Sequence, residues 1–144
     1  MTSWAPVVGY EGLYQVSNEG RVNTMSRRGE WMPRSLATDK SGYKRITLSK
    51  DGKKRCHLVH HLVLDAFVGP RMDGQECRHL NGDPGDNRLE NLQWGTSTEN
   101  SFDVVRHGNH HGARKTHCKH GHEFTPDNTM EHVRGGRQCR TCNR

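Results

Sequence analysis

The stretch from residue 76 to residue 100 constrains the fold more than any other part of the chain. A short extended segment ends at His79, and a loop rich in Asn, Gly, Asp and Pro follows it. A second short strand is predicted over Asn91–Trp94. Thr96 and Glu99 then have the spacing of a capping box, which predicts that a helix begins directly after Thr96.

This order of strand, loop, strand and helix would bring His79, Asn91 and Asn100 within reach of one another. Together with the intervening Asn-Gly-Asp, Asn-Arg-Leu-Glu-Asn-Leu-Gln-Trp-Gly-Thr and Glu-Asn sequences, they resemble the signature of the HNH nucleases. The similar branch is the phage and homing type, whose third letter is asparagine. The resemblance covers roughly residues 57–108. It implies an α+β protein with a ββα-metal (His-Me) finger and the activity of a metal-dependent DNA endonuclease.

The chemistry of phosphodiester hydrolysis suits these residues. The reaction needs an activated water, a cation that neutralises developing charge, and stabilisation of the departing 3′ oxygen. An imidazole is largely neutral at physiological pH, so His79 is predicted to be the general base, as the resemblance also implies. The amide oxygen of Asn100 can ligate Mg²⁺ or Mn²⁺, and the resemblance implies the catalytic metal there. Asn91 is expected to order the loop by hydrogen bonds.

The predicted metal site has one departure from the family pattern. Many homing HNH enzymes carry an acidic residue, a second metal ligand, directly before the catalytic histidine, and here that position is Arg78. Asp103 and His107 share a helical face with Asn100 and could complete the site, although both could simply be surface residues. Asp83 is another substitute ligand, or Arg78 itself contacts phosphate.

The charge balance points to a polyanionic partner. The formal net charge is +6 with eleven histidines uncounted, so double-stranded DNA is the first candidate, with simple solubility as the alternative. Only 30% of the residues are hydrophobic and the mean hydropathy is −1.02, which predicts small cores or metal sites instead of one large core. No apolar run reaches the roughly eighteen residues of a membrane span, and a cytoplasmic location is expected.

An N-terminal β-rich module is predicted over residues 1–56. Leu13–Val16 and Arg21–Met25 are short β-type runs around a turn, which predicts a hairpin. The segment resembles the small DNA-binding module often found ahead of phage HNH domains, with its Gly-Tyr-Glu-Gly-Leu-Tyr and Val-Ser-Asn-x-Gly-Arg-Val patterns. The alternative is an ordinary hairpin over an aromatic cluster of Trp4, Tyr10 and Tyr14.

A second hairpin turns at Asp51-Gly52 and is the most basic part of the chain. Ile46 and Leu48 alternate with polar residues, as in a half-buried strand. Positive side chains on a two-stranded ribbon suit phosphate contact, although such a run is often only a solvated face. The predicted DNA-binding residues are Arg27, Arg28, Lys44, Arg45, Lys53, Lys54, Arg55 and Arg78.

The nuclease domain itself is predicted over residues 57–111. Val59–Phe67 has apolar residues at helical spacing and ends before Gly69-Pro70, so an amphipathic helix should provide the core for the finger. His60 on this helix is expected to be structural or to contact phosphate. One finger contains one active site, so a monomer would nick DNA, and cutting both strands would need a homodimer or a second engagement of the DNA.

A zinc-binding module is predicted over residues 112–144. Cys118 and His122, followed by Cys139 and Cys142, supply four ligands at the spacing of a tetrahedral Zn²⁺ site. So few large apolar residues surround them that the metal would have to supply the folding energy, and similar zinc tails follow other phage HNH domains. The fourth ligand could instead be His117 or His120, and the thiols could be unliganded.

A second functional reading also fits the sequence. A DNA-binding accessory or regulatory protein could keep the fold and lose the chemistry, and Arg78 is the residue that most favours this reading. Divalent-ion-dependent strand scission separates the two hypotheses, because both predict affinity for DNA.

Overall fold

The computed structural model describes residues 1–108, 115–131 and 137–143. The chain divides into two compact units, Met1–Asp103 and Val104–Arg144. The predicted module 1–56 and most of the predicted module 57–111 thus lie in one unit, and the predicted zinc module, 112–144, lies in the other. The architecture is α+β, as predicted, with short antiparallel sheets and two α-helices in the described residues.

The first unit begins with a four-stranded antiparallel sheet in the order β1-β2-β3-β4. Its strands are β1 Trp4–Pro6, β2 Tyr14–Ser17, β3 Val22–Met25 and β4 Trp31–Pro33. The predicted hairpin is β2–β3. Tyr14 is buried, but Trp4 is 38% exposed, so the predicted aromatic cluster is wrong for Trp4.

The basic hairpin forms the centre of a second sheet, in the order β5-β6-β7. Its strands are β5 Ala37–Thr38, β6 Lys44–Lys50 and β7 Lys53–Leu58. Ile46 and Leu48 point inward and are buried while their neighbours along β6 are exposed or half-buried, which confirms the predicted alternation. Asp51 and Gly52 have φ values of 52° and 73°, as a tight hairpin turn of two residues requires.

Helix α1, Val59–Phe67, has the predicted bounds and organises the core of the first unit. Its buried face packs against side chains from both preceding sheets and from the strand that follows the turn-rich loop, β9 Leu92–Thr96. The shared core contains Val7, Tyr14, Val16, Val22, Ile46, Leu48, Val59, Leu62, Val63, Leu64 and Leu92. The N-terminal sheet and the finger therefore share one hydrophobic core.

The predicted strand-loop-strand-helix segment is present. It consists of β8 Gln75–His79, a 3-10 turn Leu89–Asn91, β9 Leu92–Thr96 and helix α2 Ser97–Arg106. The capping box is confirmed: Thr96 N donates to Glu99 Oε2 at 2.7 Å, and Glu99 N donates to Thr96 Oγ1 at 3.2 Å. Asn91 precedes β9, so the second strand begins one residue later than predicted.

The second unit contains a small antiparallel hairpin. Its strands are β10 Thr129–Glu131 and β11 Arg137–Cys139, followed by a 3-10 turn Thr141–Asn143. Among its described residues, 115–131 and 137–143 included, Cys139 is the single buried hydrophobic side chain. Neither α-helix of the described chain is long and apolar enough to cross a membrane.

Candidate active site and metal centre

His79 lies at the end of β8, where three other side chains approach its imidazole ring. Nε2 is 3.0 Å from Oδ1 of Asn87, which is 4% exposed. The ring centroid of His60 is 5.0 Å away in an edge-on arrangement, and that of Tyr43 is 5.8 Å away. The predicted general base therefore has a fixed orientation before any substrate binds.

His60 is the buried neighbour of His79 on α1. It is 4% exposed, and its Nδ1 has no hydrogen-bond partner among the described residues. The pKa of His60 is lowered to about 3, mainly by burial and to a smaller extent by the neighbouring His61 and His79. A neutral His60 leaves His79 free of a buried positive charge at its edge.

Asn91 fixes the loop between β8 and β9. Its Oδ1 accepts a hydrogen bond from Asn81 N at 2.9 Å, and its Nδ2 donates to Asn81 Oδ1 at 3.0 Å and to the Asp86 carbonyl at 2.9 Å. Because the Asn91 side chain is buried, these bonds are protected from competition with water. They hold the loop that begins directly after His79.

Asn100, the third signature residue, contacts an acidic residue that the sequence analysis did not single out. Its Nδ2 donates to Glu76 Oε2 at 2.9 Å, so its Oδ1 is turned to a different direction. Both side chains line a cavity of about 370 Å³ that also includes Tyr43, His60, His61 and Arg71. Glu76 precedes Arg78 by two residues on β8, and this period-two spacing was the available signal for placing both on one face.

Arg78 and Asp103 form a half-buried ion pair between β8 and α2. Arg78 Nε donates to Asp103 Oδ2 at 2.7 Å, Nη2 donates to Oδ1 at 3.2 Å, and Glu99 lies 3.7 Å from Nη1. The side chain of Arg78 is 14% exposed and that of Asp103 is 5% exposed. The roles predicted for Arg78 in DNA contact and for Asp103 in metal binding stay predictions, and the structure gives both residues a part in anchoring α2.

Replacing Arg78 by alanine should lower the free energy of unfolding of the first unit by about 3 kcal/mol, because Asp103 loses the guanidinium that contacts both its oxygens. Arg88→Ala is the matched control, since Arg88 pairs with Asp86 and Glu90 while 54% exposed, and should cost much less stability because solvent screens exposed ion pairs. Urea denaturation of both variants measures the difference. Equal losses would contradict the anchoring role.

The predicted DNA-binding residues differ in their surroundings. Lys53, Lys54 and Arg55 are exposed along β7, the edge strand of its sheet, and Arg27 and Arg28 are exposed between β3 and β4. Two others already have partners within the protein: Lys44 Nζ donates to Thr38 Oγ1 at 2.7 Å, and Arg45 Nε donates to Asp39 Oδ2 at 2.8 Å. The β7 edge is thus the most available cationic surface among them.

The four predicted zinc ligands come together in the second unit. The Sγ atoms of Cys118 and Cys142 are 3.7 Å apart, and Nδ1 of His122 lies 3.6, 3.2 and 3.8 Å from Sγ of Cys118, Cys142 and Cys139. Ligands about 2.3 Å from a central ion in a tetrahedron are separated by about 3.7 Å. The donor set and its spacing therefore fit a zinc ion.

His122 is the histidine of this cluster, and the alternatives His117 and His120 are not part of it. His117 Nδ1 is instead 2.8 Å from Thr116 Oγ1. Asn128 supports the cluster: its Nδ2 donates to Cys139 Sγ at 3.4 Å, and its Oδ1 accepts from Thr141 N at 3.0 Å. His107, the last predicted ligand of the catalytic metal, follows the end of α2 and belongs to the second unit.

Comparison with known proteins agrees with this geometry. Residues 3–49 match the family model of the NUMOD4 motif, and residues 57–102 match that of an HNH endonuclease family. Two uncharacterized HNH endonucleases of Acanthamoeba polyphaga mimivirus are 26% and 35% identical to the chain. The alignments cover 75% and 66% of this chain and 31% and 23% of those proteins.

The DNA endonuclease I-HmuI of Bacillus phage SP01 is 37% identical over 105 residues, which are 73% of this chain and 59% of that protein. A solved structure of DNA binding and cleavage by the HNH homing endonuclease I-HmuI is similar with a TM-score of 0.66 and 34% sequence identity, covering 75% of this chain and 60% of that one. The chain thus spans less than two thirds of that relative. On this evidence, the chain carries an HNH endonuclease domain with a NUMOD4 motif ahead of it and is a phage-type HNH endonuclease.

Proposed function

We propose that the protein is a metal-dependent DNA endonuclease that nicks double-stranded DNA. The observation that carries the proposal is the position of His79, held at the end of β8 by Asn87 and packed against His60 and Tyr43, two residues of the cavity that Asn100 and Glu76 also line. I-HmuI, whose name describes a DNA endonuclease, is the relative that supports this reaction class. The protein would act inside a phage-infected or bacterial cell.

In the proposed reaction, His79 accepts a proton from a water molecule as the water oxygen attacks phosphorus. The new P–O bond forms as the bond from phosphorus to the 3′ oxygen breaks, and a proton from solvent completes the leaving group. Asn91 keeps the loop after His79 in place, so the imidazole does not have to be reoriented for each turnover. Neutral His60 packs against its edge.

Asn100 and Glu76 are the residues that we propose hold the divalent ion, with Mg²⁺ or Mn²⁺ as the expected species. An amide oxygen and a carboxylate are donors that such hard cations prefer. Glu76 would replace the acidic ligand that many homing HNH enzymes carry at the position of Arg78. The partnerless Nδ1 of buried His60 on the same cavity wall fits a site that takes up a further polar species. When bound, the ion would neutralise charge on the phosphate and the leaving oxygen.

The other parts of the protein would bind DNA and stabilise the fold. Lys53, Lys54 and Arg55 would contact phosphates from the β7 edge, together with Arg27 and Arg28. Zn²⁺ in the cluster of Cys118, His122, Cys139 and Cys142 would have a structural role, because all four positions of a tetrahedral site are filled by protein. A monomer with one active site would cut one strand, and cutting both would need a homodimer.

Supercoiled plasmid tests the proposal directly. Wild-type protein with Mg²⁺ or Mn²⁺ should convert the plasmid to open circles, and excess EDTA should abolish the conversion while gel-shift binding to DNA persists. Linear product at early times would contradict nicking by a monomer. A protein that retards the plasmid in a gel but leaves it supercoiled with either ion would support the alternative hypothesis of a DNA-binding accessory protein, for which Arg78 is the main argument.

The ligand role of Glu76 has its own readout. Glu76→Gln keeps the size of the side chain but removes the charge, and should weaken Mn²⁺ binding at this site about tenfold or more, as measured by electron paramagnetic resonance without DNA. Glu90→Gln, at a side chain that is 75% exposed and pairs with Arg88, is the control and should bind normally. Equal Mn²⁺ affinities would remove Glu76 from the site and leave the endonuclease proposal standing.

A further inference from the structure

We propose that the N-terminal sheet helps to position the general base, through a contact from Gly20 to Asn87 and from Asn87 to His79. This inference rests on the proposed endonuclease function and adds two positioning residues to it. Gly20 lies in the turn between β2 and β3, and Asn87 lies in the loop between β8 and β9. In the sequence, Gly20 and Asn87 belong to two modules that each resemble a different family. In the structure, the two modules meet beside His79.

The contact between Asn87 and His79 determines which ring nitrogen carries the proton. Oδ1 of an amide can only accept a hydrogen bond, so its 3.0 Å contact with Nε2 of His79 requires a proton on Nε2. The neutral imidazole then has its lone pair on Nδ1, which becomes the atom that can take a proton from water. Because Asn87 is buried, its amide has little freedom to rotate away.

Gly20 allows Asn87 to occupy this position, because the turn approaches Asn87 too closely for a side chain at residue 20. A Cβ on Gly20 would lie 2.8 Å from Asn87 Cβ and 3.1 Å from the Asn87 carbonyl oxygen. Any larger residue must therefore push the backbone of Asn87 away, not merely a flexible side-chain end. The same turn is attached to the loop by a second contact, in which Leu89 N donates to the Asn18 carbonyl at 2.8 Å.

The N-terminal sheet thereby influences the orientation of His79 without contacting it. A shift of Asn87 would carry the acceptor away from Nε2 and allow the imidazole to turn or to change tautomer. Misplacement of a catalytic group by about 1 Å can cost about a hundredfold in rate. Binding of DNA would be little affected, because Gly20 and Asn87 are not among the cations that we expect to contact phosphate.

Gly20→Ala and Gly12→Ala form a matched pair that tests the proposal. Gly20 and Gly12 have φ values of +82° and +79°, so alanine is strained at both sites, but no heavy atom of the described structure lies within 4 Å of a Cβ at Gly12. Gly20→Ala should lower the single-turnover nicking rate about tenfold or more relative to Gly12→Ala, with equal DNA affinity in EDTA and both proteins fully folded at the assay temperature. Equal nicking rates would overturn the proposal.

A change at Asn87 provides a readout that a purely structural role would not move. Asn87→Asp places a carboxylate beside the imidazole and favours its protonated form, so the acid limb of the pH–rate profile should move up by about one unit. An unmoved profile would overturn the positioning role. Gly20→Ala changes no charge and should lower the rate at every pH.

The tautomer can also be observed without any activity. In ¹⁵N NMR spectra of histidine-labelled protein, neutral His79 should show a protonated Nε2 and a bare Nδ1 in the wild type. Asn87→Ala should lose this preference, and Gly20→Ala should weaken it. A His79 signal unchanged in both variants overturns the proposal. A wild type that never nicks DNA yet has the expected signals would instead refute the proposed endonuclease function alone.

Discussion

His79→Ala should lower the rate of metal-dependent plasmid nicking by about 10² to 10⁴-fold while leaving DNA affinity unchanged. The loss reflects removal of the group that accepts the proton of the attacking water. The substitution also removes a ring packed against His60 and Tyr43, so His79→Asn, which fills more of the space, should be equally inactive. Single-turnover kinetics at saturating enzyme measures the chemical step without interference from product release.

Two controls make this result specific to proton transfer. His57→Ala removes another half-buried imidazole, which is 3.1 Å from the Tyr10 hydroxyl and away from the cavity lining, and it should retain wild-type nicking. Added imidazole should restore part of the activity of His79→Ala, because a small base can enter the space that the ring leaves. A folded His79→Ala protein that nicks at the wild-type rate would exclude His79 as the general base.

Removal of zinc should unfold the second unit and leave the first unit folded. Structural zinc in small domains contributes about 10 to 16 kcal/mol of apparent binding free energy, and the described residues of this unit bury almost no apolar surface to replace it. Cys139→Ser should have the same effect, because Cys139 is the buried ligand of the cluster. Proton–nitrogen correlation spectra should lose the dispersed signals of the second unit alone.

Metal content provides the matched control for the zinc prediction. Wild-type protein should contain one zinc ion per chain, and Cys139→Ser should contain none. Cys56→Ser should keep the ion, since Cys56 is exposed and outside the cluster. Cys77, whose thiol pKa burial raises to about 12, is inert to metal at neutral pH. Zinc-free protein with an intact second unit would exclude a structural metal.

The features that the sequence predicted well are those encoded by neighbouring residues. The capping box of Thr96 and Glu99, the turn at Asp51-Gly52 and the bounds of α1 each depend on a pattern within one turn or one helix. The cysteine and histidine spacing predicted the cluster of the second unit equally well, because a tetrahedral ion accepts few arrangements of ligands.

Contacts between segments that are distant in the chain could not be predicted from patterns of neighbouring residues. Arg78 and Asp103 are 25 positions apart, and nothing in a single sequence indicates that this Asp would pair with Arg78 before any metal. Alternation along β8 could have placed Glu76 beside Arg78, but the choice of Asn100 as its partner depends on where α2 crosses the hairpin. The amide of Asn87 gave no signal at all, since loops rich in Asn and Asp are common in turns.

The low apolar content predicted small cores, and in the first unit the N-terminal sheet and the finger contribute to the same one. Val7, directly after β1, and Val16 of β2 are fully buried in the same cluster as Val63 of α1 and Leu92 of β9. Segments with only a few apolar residues each can bury them together when a central helix offers an apolar face to all of them. Amino-acid composition alone does not reveal that apolar residues from separate segments pack into one core.

The common core of the N-terminal sheet and α1 limits where recombination can exchange parts of this protein with its relatives. A chimera joined at residue 56 would place Val59 and Val63 against side chains selected in another protein, and would also separate Gly20 from the Asn87 that it contacts. A junction beyond Asp103 keeps both arrangements. New target preferences should therefore be inherited with the whole first unit, or arise by point substitution on the exposed β7 edge.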